Sequence, residues 1–220
     1  MTPEDDPALR RLVELLRSPG APVSPKSADR AWEEHVADSL AGLEFEEVAR
    51  AERVCDLGSG AGLPGLVLAA RLPETSVTLL EATSRKCEFI ERAAGEMGLE
   101  NVRVVDERSE DWAAGEGREA YDLVSARAVG GLPTTAELAS PLLEEGGVLA
   151  IWRGRRDPDE EDRLDRASSS IAIAAERTAP VEPFPGSHSR HIHLLRKNGP
   201  TPADLPRRPG VAAKRPFGGE

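Results

Sequence analysis

Apolar residues in the first fifty positions recur every three or four residues, as they do along one face of a helix. The first set with this spacing consists of Leu9, Leu12, Val13, Leu15 and Leu16. The second set consists of Trp32, Val36, Leu40 and Leu43. The pattern predicts two amphipathic helices, the second over residues 29–43. Residues 18–25 separate them, because that segment holds three prolines and a glycine, which interrupt helices.

The pattern changes after residue 50, where short apolar and β-prone runs alternate with helical spacing. Strands are predicted at residues 53–57, 76–80, 102–105, 121–125, 147–152 and 192–195. Helices are predicted at residues 63–71, 84–97, 134–143 and 160–175. Such alternation is typical of an α/β protein with a mainly parallel sheet and helices on both faces.

These patterns divide the chain into three predicted segments. Residues 1–50 form a short helical segment, residues 51–197 form the main domain, and residues 198–220 form a tail rich in proline and arginine. Prolines recur throughout the tail and exclude a long regular helix there. We expect the tail to be an extended arm that becomes ordered on binding.

Charge is distributed unevenly along the chain. The formal net charge is -11, which by itself argues against a nucleic-acid-binding protein. The last 25 residues, however, carry six Lys or Arg against two Asp or Glu. Because local potential guides an encounter, a basic end on an acidic body can still bind phosphate, although such an end can also serve solubility alone.

The composition indicates a cytoplasmic protein. Hydrophobic residues make up 39% and charged residues 30%, as in ordinary globular proteins. The start of the chain is acidic and lacks the apolar stretch of a signal peptide, and no apolar run is long enough to cross a membrane. Cys55 and Cys87 are interpreted as reduced packing residues. We expect no membrane association, and we expect a monomer.

The first predicted strand ends in a glycine-rich turn that leads into a helix. The turn contains Gly58, Gly60, Gly62 and Gly65 within ten residues of Asp56. Glycine allows positive φ angles and lets a ligand approach the backbone closely, while the helix that follows offers free N–H groups. Glu81 ends the next predicted strand, where a carboxylate can accept hydrogen bonds from ribose hydroxyls.

Two cofactor classes use such a turn, and a third interpretation is a turn that binds nothing. The glycine spacing also satisfies the dinucleotide fingerprint, which is weak evidence alone. Asp56 would repel a pyrophosphate but attract a sulfonium or an amino group. Glu110 and Asp111 follow the third predicted strand, where a carboxylate can accept from the adenine amino group. These features favour S-adenosylmethionine over a dinucleotide.

Several motifs are specific enough to indicate a family. They are Asp-Leu-Gly-Ser-Gly-Ala-Gly-Leu-Pro-Gly (56–65), Leu-Leu-Glu (79–81) with Arg-Lys-Cys-x-Phe (85–89), Glu-Asn-Val (100–102), Arg-Ser-Glu (108–110), Ser-Ala-Arg-Ala (125–128), His-x-x-Asp-Ser-Leu (35–40) and the basic tail around Pro206–Gly210 and Lys214–Pro216. Together they resemble the 16S ribosomal RNA guanine-N7 methyltransferases, the glucose-inhibited division protein B family. The resemblance covers residues 29–217. It implies a Rossmann-like class I S-adenosylmethionine-dependent methyltransferase with a seven-stranded sheet.

The resemblance also implies roles for individual residues. The expected cofactor-binding residues are Asp56, Gly58, Gly60, Gly62, Leu63, Glu81, Ser109, Glu110 and Arg127. Glu81 would hold the ribose, whereas Ser109 and Glu110 would flank the adenine. Arg127 would orient the methionine end of the cofactor and the incoming base at the mouth of the pocket.

The implied reaction transfers a methyl group to N7 of a guanine in 16S ribosomal RNA, or in the small ribosomal subunit. Guanine N7 carries an in-plane lone pair, so we expect no general base, and the main contribution is orientation of the reactants. The expected RNA-binding residues are Arg153, Arg155, Arg156, Arg207, Arg208, Lys214 and Arg215. A methyltransferase for a small molecule or a protein, or a non-catalytic module of the same fold, remains the alternative.

Three further features leave alternatives at this stage. Trp152 could stack on a base, although a tryptophan at the end of a strand is more often part of the core. His191 and His193 share one face of the last predicted strand, but no acid or cysteine joins them at ligand spacing, so we expect no metal. His35 and Asp38 are interpreted as a hydrogen-bonding pair that positions the cofactor end, rather than as an acid–base couple.

Overall fold

The computed structural model describes residues 3–219, and Met1, Thr2 and Glu220 of the predicted terminal segments lie outside that range. Within it, seven strands form one sheet in the order β3-β2-β1-β4-β5-β7-β6. The strands are β1 (Arg53–Leu57), β2 (Ser76–Glu81), β3 (Val102–Asp106), β4 (Tyr121–Arg127), β5 (Leu143–Arg153), β6 (Ile173–Val181) and β7 (Arg190–Lys197). Strands β1 to β5 pair in parallel, and β7 pairs antiparallel with both β5 and β6. The predicted Rossmann-like fold is confirmed.

Helices precede, connect and follow the strands. They are α1 (Pro7–Arg17), α2 (Pro25–Asp29), α3 (Asp38–Leu40), α4 (Glu46–Ala49), α5 (Gly65–Arg71), α6 (Ser84–Met97), α7 (Ser109–Ala113), α8 (Leu132–Ala139), α9 (Pro158–Ile171) and α10 (Val211–Lys214). Short 3-10 turns lie at Pro3–Asp5, Ala41–Glu44 and Ser140–Leu142. No helix within residues 3–219 has the length and apolar character needed to cross a membrane.

The predicted helix over residues 160–175 is wrong at its end. Helix α9 stops at Ile171, and Ala172 adopts a left-handed φ of 52° that breaks the helix. The apolar run that follows is strand β6, which no pattern had indicated as a strand. A short apolar run is compatible with either structure, and pairing with β7 along its length decides in favour of the strand.

The single predicted helix over residues 29–43 is also wrong in detail. The structure has a π-helical turn at Trp32–Ala37, then α3, then the 3-10 turn. The π turn interrupts the regular spacing of backbone hydrogen bonds, a feature that is frequent at functional sites. Trp152 packs against this region so closely that a Cβ on Gly42 would lie 2.2 Å from the indole ring.

The sheet has a separate apolar core on each face, because successive strand residues point to opposite sides. One core contains Val54 and Leu79 with the N-terminal helices, α5 and α6. The other contains Cys55 and Leu80 with α7, α8, α9 and residues of the tail. The two ends of the chain therefore cover opposite faces of the sheet. The predicted division at residues 50 and 197 stays a prediction.

The tail is packed on the protein, which corrects the expectation of an extended arm. Leu205 and Ala212 are buried, and Phe217 packs against the same core. At the start of the tail, the buried ammonium of Lys197 donates to Ser140 O at 2.7 Å, to Leu143 O at 3.0 Å and to the Thr201 hydroxyl at 2.8 Å. Apolar burial and these bonds order the segment without a bound partner.

Candidate functional site

A cleft opens where β1, β2 and β3 end at the carboxyl edge of the sheet. It encloses about 710 Å³ of empty space, part of it open to solvent. Gly58, Glu81, Ser109 and Glu110 line it, so the structure brings together four of the predicted cofactor-binding residues. Parallel strands end at the same edge, which is where ligands bind in open α/β sheets.

Gly58 and Gly60 both have a left-handed backbone, and Gly58 is one of the residues that line the cleft. Gly58 has a φ of 65° and Gly60 a φ of 61°. A Cβ on Gly58 would lie 3.1 Å from Val129, whereas a Cβ on Gly60 would meet only the Gly58 carbonyl oxygen at 3.9 Å. The space beside Gly60 is therefore open to a ligand, and a side chain there would fill it.

Gly62 and Leu63 do not line the cleft, contrary to the prediction. A Cβ on Gly62 would lie 2.4 Å from Leu66, so this glycine allows the turn to pack on α5. The Leu63 side chain is 4% exposed and belongs to the core beneath. Both residues shape the turn from inside, because the chain descends into the core after Gly60.

Asp56 likewise supports the turn from beneath and does not contact the cleft. It has 0% exposure, so the predicted direct contact with the cofactor does not fit this structure. Its carboxylate accepts from the Ser125 hydroxyl at 2.8 Å and from Gly65 N at 3.2 Å. Burial raises the pKa of Asp56 to about 6, and these hydrogen bonds oppose the rise.

Glu81 connects the end of β2 to the glycine turn. One carboxylate oxygen accepts from Gly60 N at 3.0 Å, and the other accepts from Thr83 N at 3.0 Å. Lys86 Nζ lies 3.5 Å from Glu81 Oε2, the oxygen that accepts from Gly60 N. Oε1, which accepts from Thr83 N, keeps a second acceptor position, so the contact with a ribose hydroxyl that was expected from the sequence is compatible with this geometry.

Ser109 and Glu110 lie beside the cleft at the start of α7. The Ser109 hydroxyl donates to one Glu110 oxygen at 3.0 Å. Gly210 N, from the tail, donates to the other at 2.8 Å. Sequence reasoning missed the tail as a part of this cleft, which Gly210 and Ala213 also line, because no local pattern links positions 100 residues apart.

Arg127 ends β4 next to the turn, since the preceding Ala126 pairs with Leu57. Its guanidinium donates to the Asp38 carboxylate at 3.0 Å and to Glu34 O at 3.3 Å, and it lies 3.4 Å from His35 Nδ1. It does not line the described cleft itself. The His35–Asp38 element is therefore attached to Arg127 rather than paired within itself.

Charge is concentrated around this contact. Asp38 is 2% exposed and also lies 3.5 Å from the Arg190 guanidinium. Burial, together with the smaller effects of the Arg127 and Arg190 charges, lowers the pKa of His35 to about 4. His35 Nε2 is buried without a hydrogen-bond partner among the described residues. The histidine is neutral at physiological pH and does not compete with Arg127 for Asp38.

Trp152 is a core residue, which excludes it as a stacking platform in this structure. Its side chain is buried, and its indole N–H donates to Asp38 O at 2.9 Å. The tryptophan therefore holds the backbone of the residue whose carboxylate holds Arg127. The alternative of a core residue, left open by the sequence, is the one observed.

The predicted RNA-binding residues divide into paired and unpaired groups. Arg153 is paired with Glu160, Arg156 with Glu161, and Arg207 with the buried Glu137. Four others are exposed and form no ion pair with any residue in the range 3–219, namely Arg155, Arg208, Lys214 and Arg215. Arg207 is thus directed into the protein, which corrects its assignment to an RNA surface.

The histidines near β7 have ordinary structural partners. His193 Nδ1 lies 3.0 Å from the Thr178 hydroxyl, and His191 Nδ1 donates to Gly154 O at 3.1 Å. Within the described part of the chain, no three His, Cys, Asp or Glu side chains are grouped so that they could hold a metal. The cleft and the Arg127 contact remain the two places where chemistry-bearing residues meet.

Comparison with known proteins identifies the family. The model of the GidB family, described as rRNA small subunit methyltransferase G, matches residues 8–184. A Ribosomal RNA small subunit methyltransferase G from Rubrobacter xylanophilus is 40% identical over 191 residues, covering 84% of this chain and 73% of its own. Its namesake from Thermotoga neapolitana is 36% identical over 208 residues, covering 94% and 89%.

Solved structures agree with the fold. A predicted O-methyltransferase from Agrobacterium tumefaciens has a TM-score of 0.57 at 26% identity, covering 74% of this chain and 81% of its own. Aeropyrum pernix fibrillarin, in complex with S-adenosyl-L-methionine, has a TM-score of 0.55 at 16% identity, covering 72% of each chain. The likeness to fibrillarin concerns the fold alone.

Proposed function

The chain belongs to the GidB family, the rRNA small subunit methyltransferases G, and on that premise we propose that it methylates N7 of a guanine in 16S ribosomal RNA. The methyl donor is S-adenosylmethionine. The observation that carries the proposal is the meeting of Gly58, Glu81, Ser109 and Glu110 in one cleft, with Gly60 hydrogen-bonded to Glu81.

The residues of the cleft fit the donor. The open space beside Gly60 admits its amino-acid end, since a Cβ built there would have the Gly58 carbonyl oxygen, at 3.9 Å, as its nearest neighbour. Glu81 offers acceptor positions to the ribose hydroxyls, and Ser109 with Glu110 offers polar atoms to the adenine. When bound, the donor supplies an electrophilic methyl group on a sulfonium.

Orientation of the base is the contribution proposed for Arg127. Its guanidinium is fixed by Asp38 at the edge of the sheet beside the glycine turn. A guanidinium held in this position can donate a hydrogen bond to guanine O6 while leaving N7 free to react. No proton has to leave N7, so the chemistry calls for no general base in the site.

RNA contact is proposed for the exposed cations Arg155, Arg208, Lys214 and Arg215, because unpaired surface charges can bind phosphates at little desolvation cost. The partner is then 16S ribosomal RNA or the small ribosomal subunit, met in the cytoplasm by a monomer. Arg153 and Arg156 are a weaker choice, since phosphate would have to compete with Glu160 and Glu161.

Mapping N7-methylguanine in ribosomal RNA tests the proposal. RNA from cells that lack the gene should lose one modified guanine, and the unaltered chain should restore it. Matched complementation with Gly60→Val should fail, because the side chain would occupy the donor space. An unchanged map in the deletion strain would overturn the RNA assignment and favour a small-molecule or protein substrate.

A further inference from the structure

The tail forms part of the wall of the proposed donor site. Gly210 and Ala213 line the cleft together with Glu81 and Glu110. The Gly210 amide donates to Glu110 Oε1 at 2.8 Å, while Ser109 holds the other oxygen. The carboxylate proposed to face the adenine is therefore oriented from two sides, and one of these is the tail.

One buried ion pair anchors this part of the tail. Arg207 Nε and Nη2 donate to the two oxygens of Glu137, each at 2.6 Å. Glu137 lies on α8 and is 2% exposed. Such a bidentate pair fixes both the position and the direction of the guanidinium.

Glu137 also links the two ends of the segment 207–217. Phe217 N donates to the same carboxylate at 3.2 Å, and Arg207 donates to Arg215 O at 2.7 Å. The Arg207 guanidinium lies 4.2 Å from the centre of the Phe217 ring. Residues 207–217 are thereby joined at both ends to one carboxylate, with Gly210 held between them over the cleft.

We propose that residues 207–217 are a donor-binding element, and that Arg207 and Glu137 are positioning residues that seat Gly210 against Glu110. The inference rests on the proposed function, since it assigns the adenine side of the cleft to the tail. Arg207 acts on the donor through Gly210 and Glu110, whereas Arg50 is exposed, pairs with Glu46 and lies outside this element.

Donor affinity in a matched pair of variants tests this inference. Calorimetry compares the unaltered chain, Arg207→Ala and the control Arg50→Ala with two ligands, S-adenosylhomocysteine and 5′-methylthioadenosine. The second ligand keeps adenine and ribose but lacks the amino-acid end. Arg207→Ala should weaken binding of both ligands by the same factor, at least tenfold, because the tail touches only the adenine side. Arg50→Ala should bind both ligands as the unaltered chain does.

Hydrogen exchange at the Gly210 amide reports whether the tail is seated, which a general loss of stability would not single out. Faster exchange in Arg207→Ala with donor affinity unchanged would overturn the inference. If Arg207→Ala fails to fold, Arg207→Lys and Glu137→Gln replace it, since the first keeps the charge and the second keeps the shape, and each weakens the two-point contact. A donor affinity in those variants equal to that of the unaltered chain overturns the inference as well. Absence of binding to the unaltered chain would instead refute the proposed donor, and with it this inference.

Discussion

The two ends of the chain reach the same edge of the sheet from opposite faces. The N-terminal segment brings Asp38 to Arg127 beside the glycine turn, and the tail brings Gly210 to Glu110 on the cleft. The first contact is a cluster of charged side chains, and the second is a backbone amide secured by one ion pair. In the proposed function, these two additions to the fold serve different halves of one reaction, the N-terminal segment the base and the tail the donor.

The two contacts also differ in what their loss would leave behind. Asp38 is shared by Arg127 and Arg190, so removing it leaves two guanidiniums without their carboxylate. At the tail, removing Arg207 leaves one buried carboxylate, Glu137, which still accepts from Phe217 N. Two unpaired charges cost more than one, so the predictions below begin with Asp38.

The largest effect is expected for Asp38→Ala. Removal of one partner from a buried ion pair should lower the free energy of unfolding by roughly 3–5 kcal/mol, measured by chemical denaturation. Methyl transfer to RNA should fall at least tenfold, while the dissociation constant for S-adenosylhomocysteine stays within twofold. Glu47→Ala is the control, because it removes only the exposed pair with Arg177. A large loss of donor affinity in Asp38→Ala would contradict the assignment of the N-terminal segment to the base and of the tail to the donor.

Alanine substitutions at two glycines of the turn should rank in opposite order for loss of stability and for loss of donor affinity. Gly62→Ala forces a Cβ against Leu66 at positive φ, so about 3 kcal/mol of stability should be lost. Gly60→Ala meets open space and should lose only about 1 kcal/mol, from its left-handed φ. Donor affinity measured by calorimetry should nevertheless fall more in Gly60→Ala. The reverse ranking would move the donor away from Gly60.

Stability should fall as the pH decreases from about 6.5 towards about 4. The pKa of His35 is lowered to about 4 in the folded chain and is near 6.5 in the unfolded chain, which therefore binds the extra proton. His193, whose pKa is also lowered to about 4 by burial, acts in the same direction. Asp56, with its pKa raised to about 6, acts in the opposite direction, since its contribution is lost as the pH rises from about 4 through 6.

Thermal melting across this range can separate the contributions. His35→Asn should flatten the decline towards low pH, because it removes the site that only the unfolded chain protonates. Equal slopes in the unaltered chain and His35→Asn would contradict the buried, neutral state of His35.

The smallest effect is expected for Arg155→Ala. The residue is exposed, so stability should be unchanged, while RNA affinity falls a few-fold. The slope of log affinity against log salt should decrease by about 1, as for one lost phosphate contact. Arg153→Ala should show the converse, a loss of stability through Glu160 and Gly130 with the salt slope retained. Identical salt slopes in both variants would remove Arg155 from the RNA surface.

The donor side of the cleft was largely predictable because its signal is local. Strand, glycine turn and helix lie within about twenty residues, and Glu81 follows at the end of the next strand. Asp56, Gly62 and Leu63 were assigned to the ligand because sequence spacing does not show which way a turn faces. The structure directs all three inward.

The contacts made by the two ends could not be predicted in the same way. Arg127 and Asp38 are 89 residues apart, and Gly210 and Glu110 are 100 apart. A basic, proline-rich tail has the composition of a disordered arm, and its few apolar residues become informative only once α8 and α9 offer a surface. The Arg207–Glu137 pair is likewise visible only when α8 is in place.

Chemical modification of Lys197 can report whether the tail is packed on the protein. The chain has four lysines, Lys26, Lys86, Lys197 and Lys214. An amine-reactive reagent would modify the other three in the native protein, but Lys197 has a fully buried side chain with three oxygen acceptors. Its acylation, counted by mass spectrometry, would therefore record how often the junction between the last strand and the tail opens.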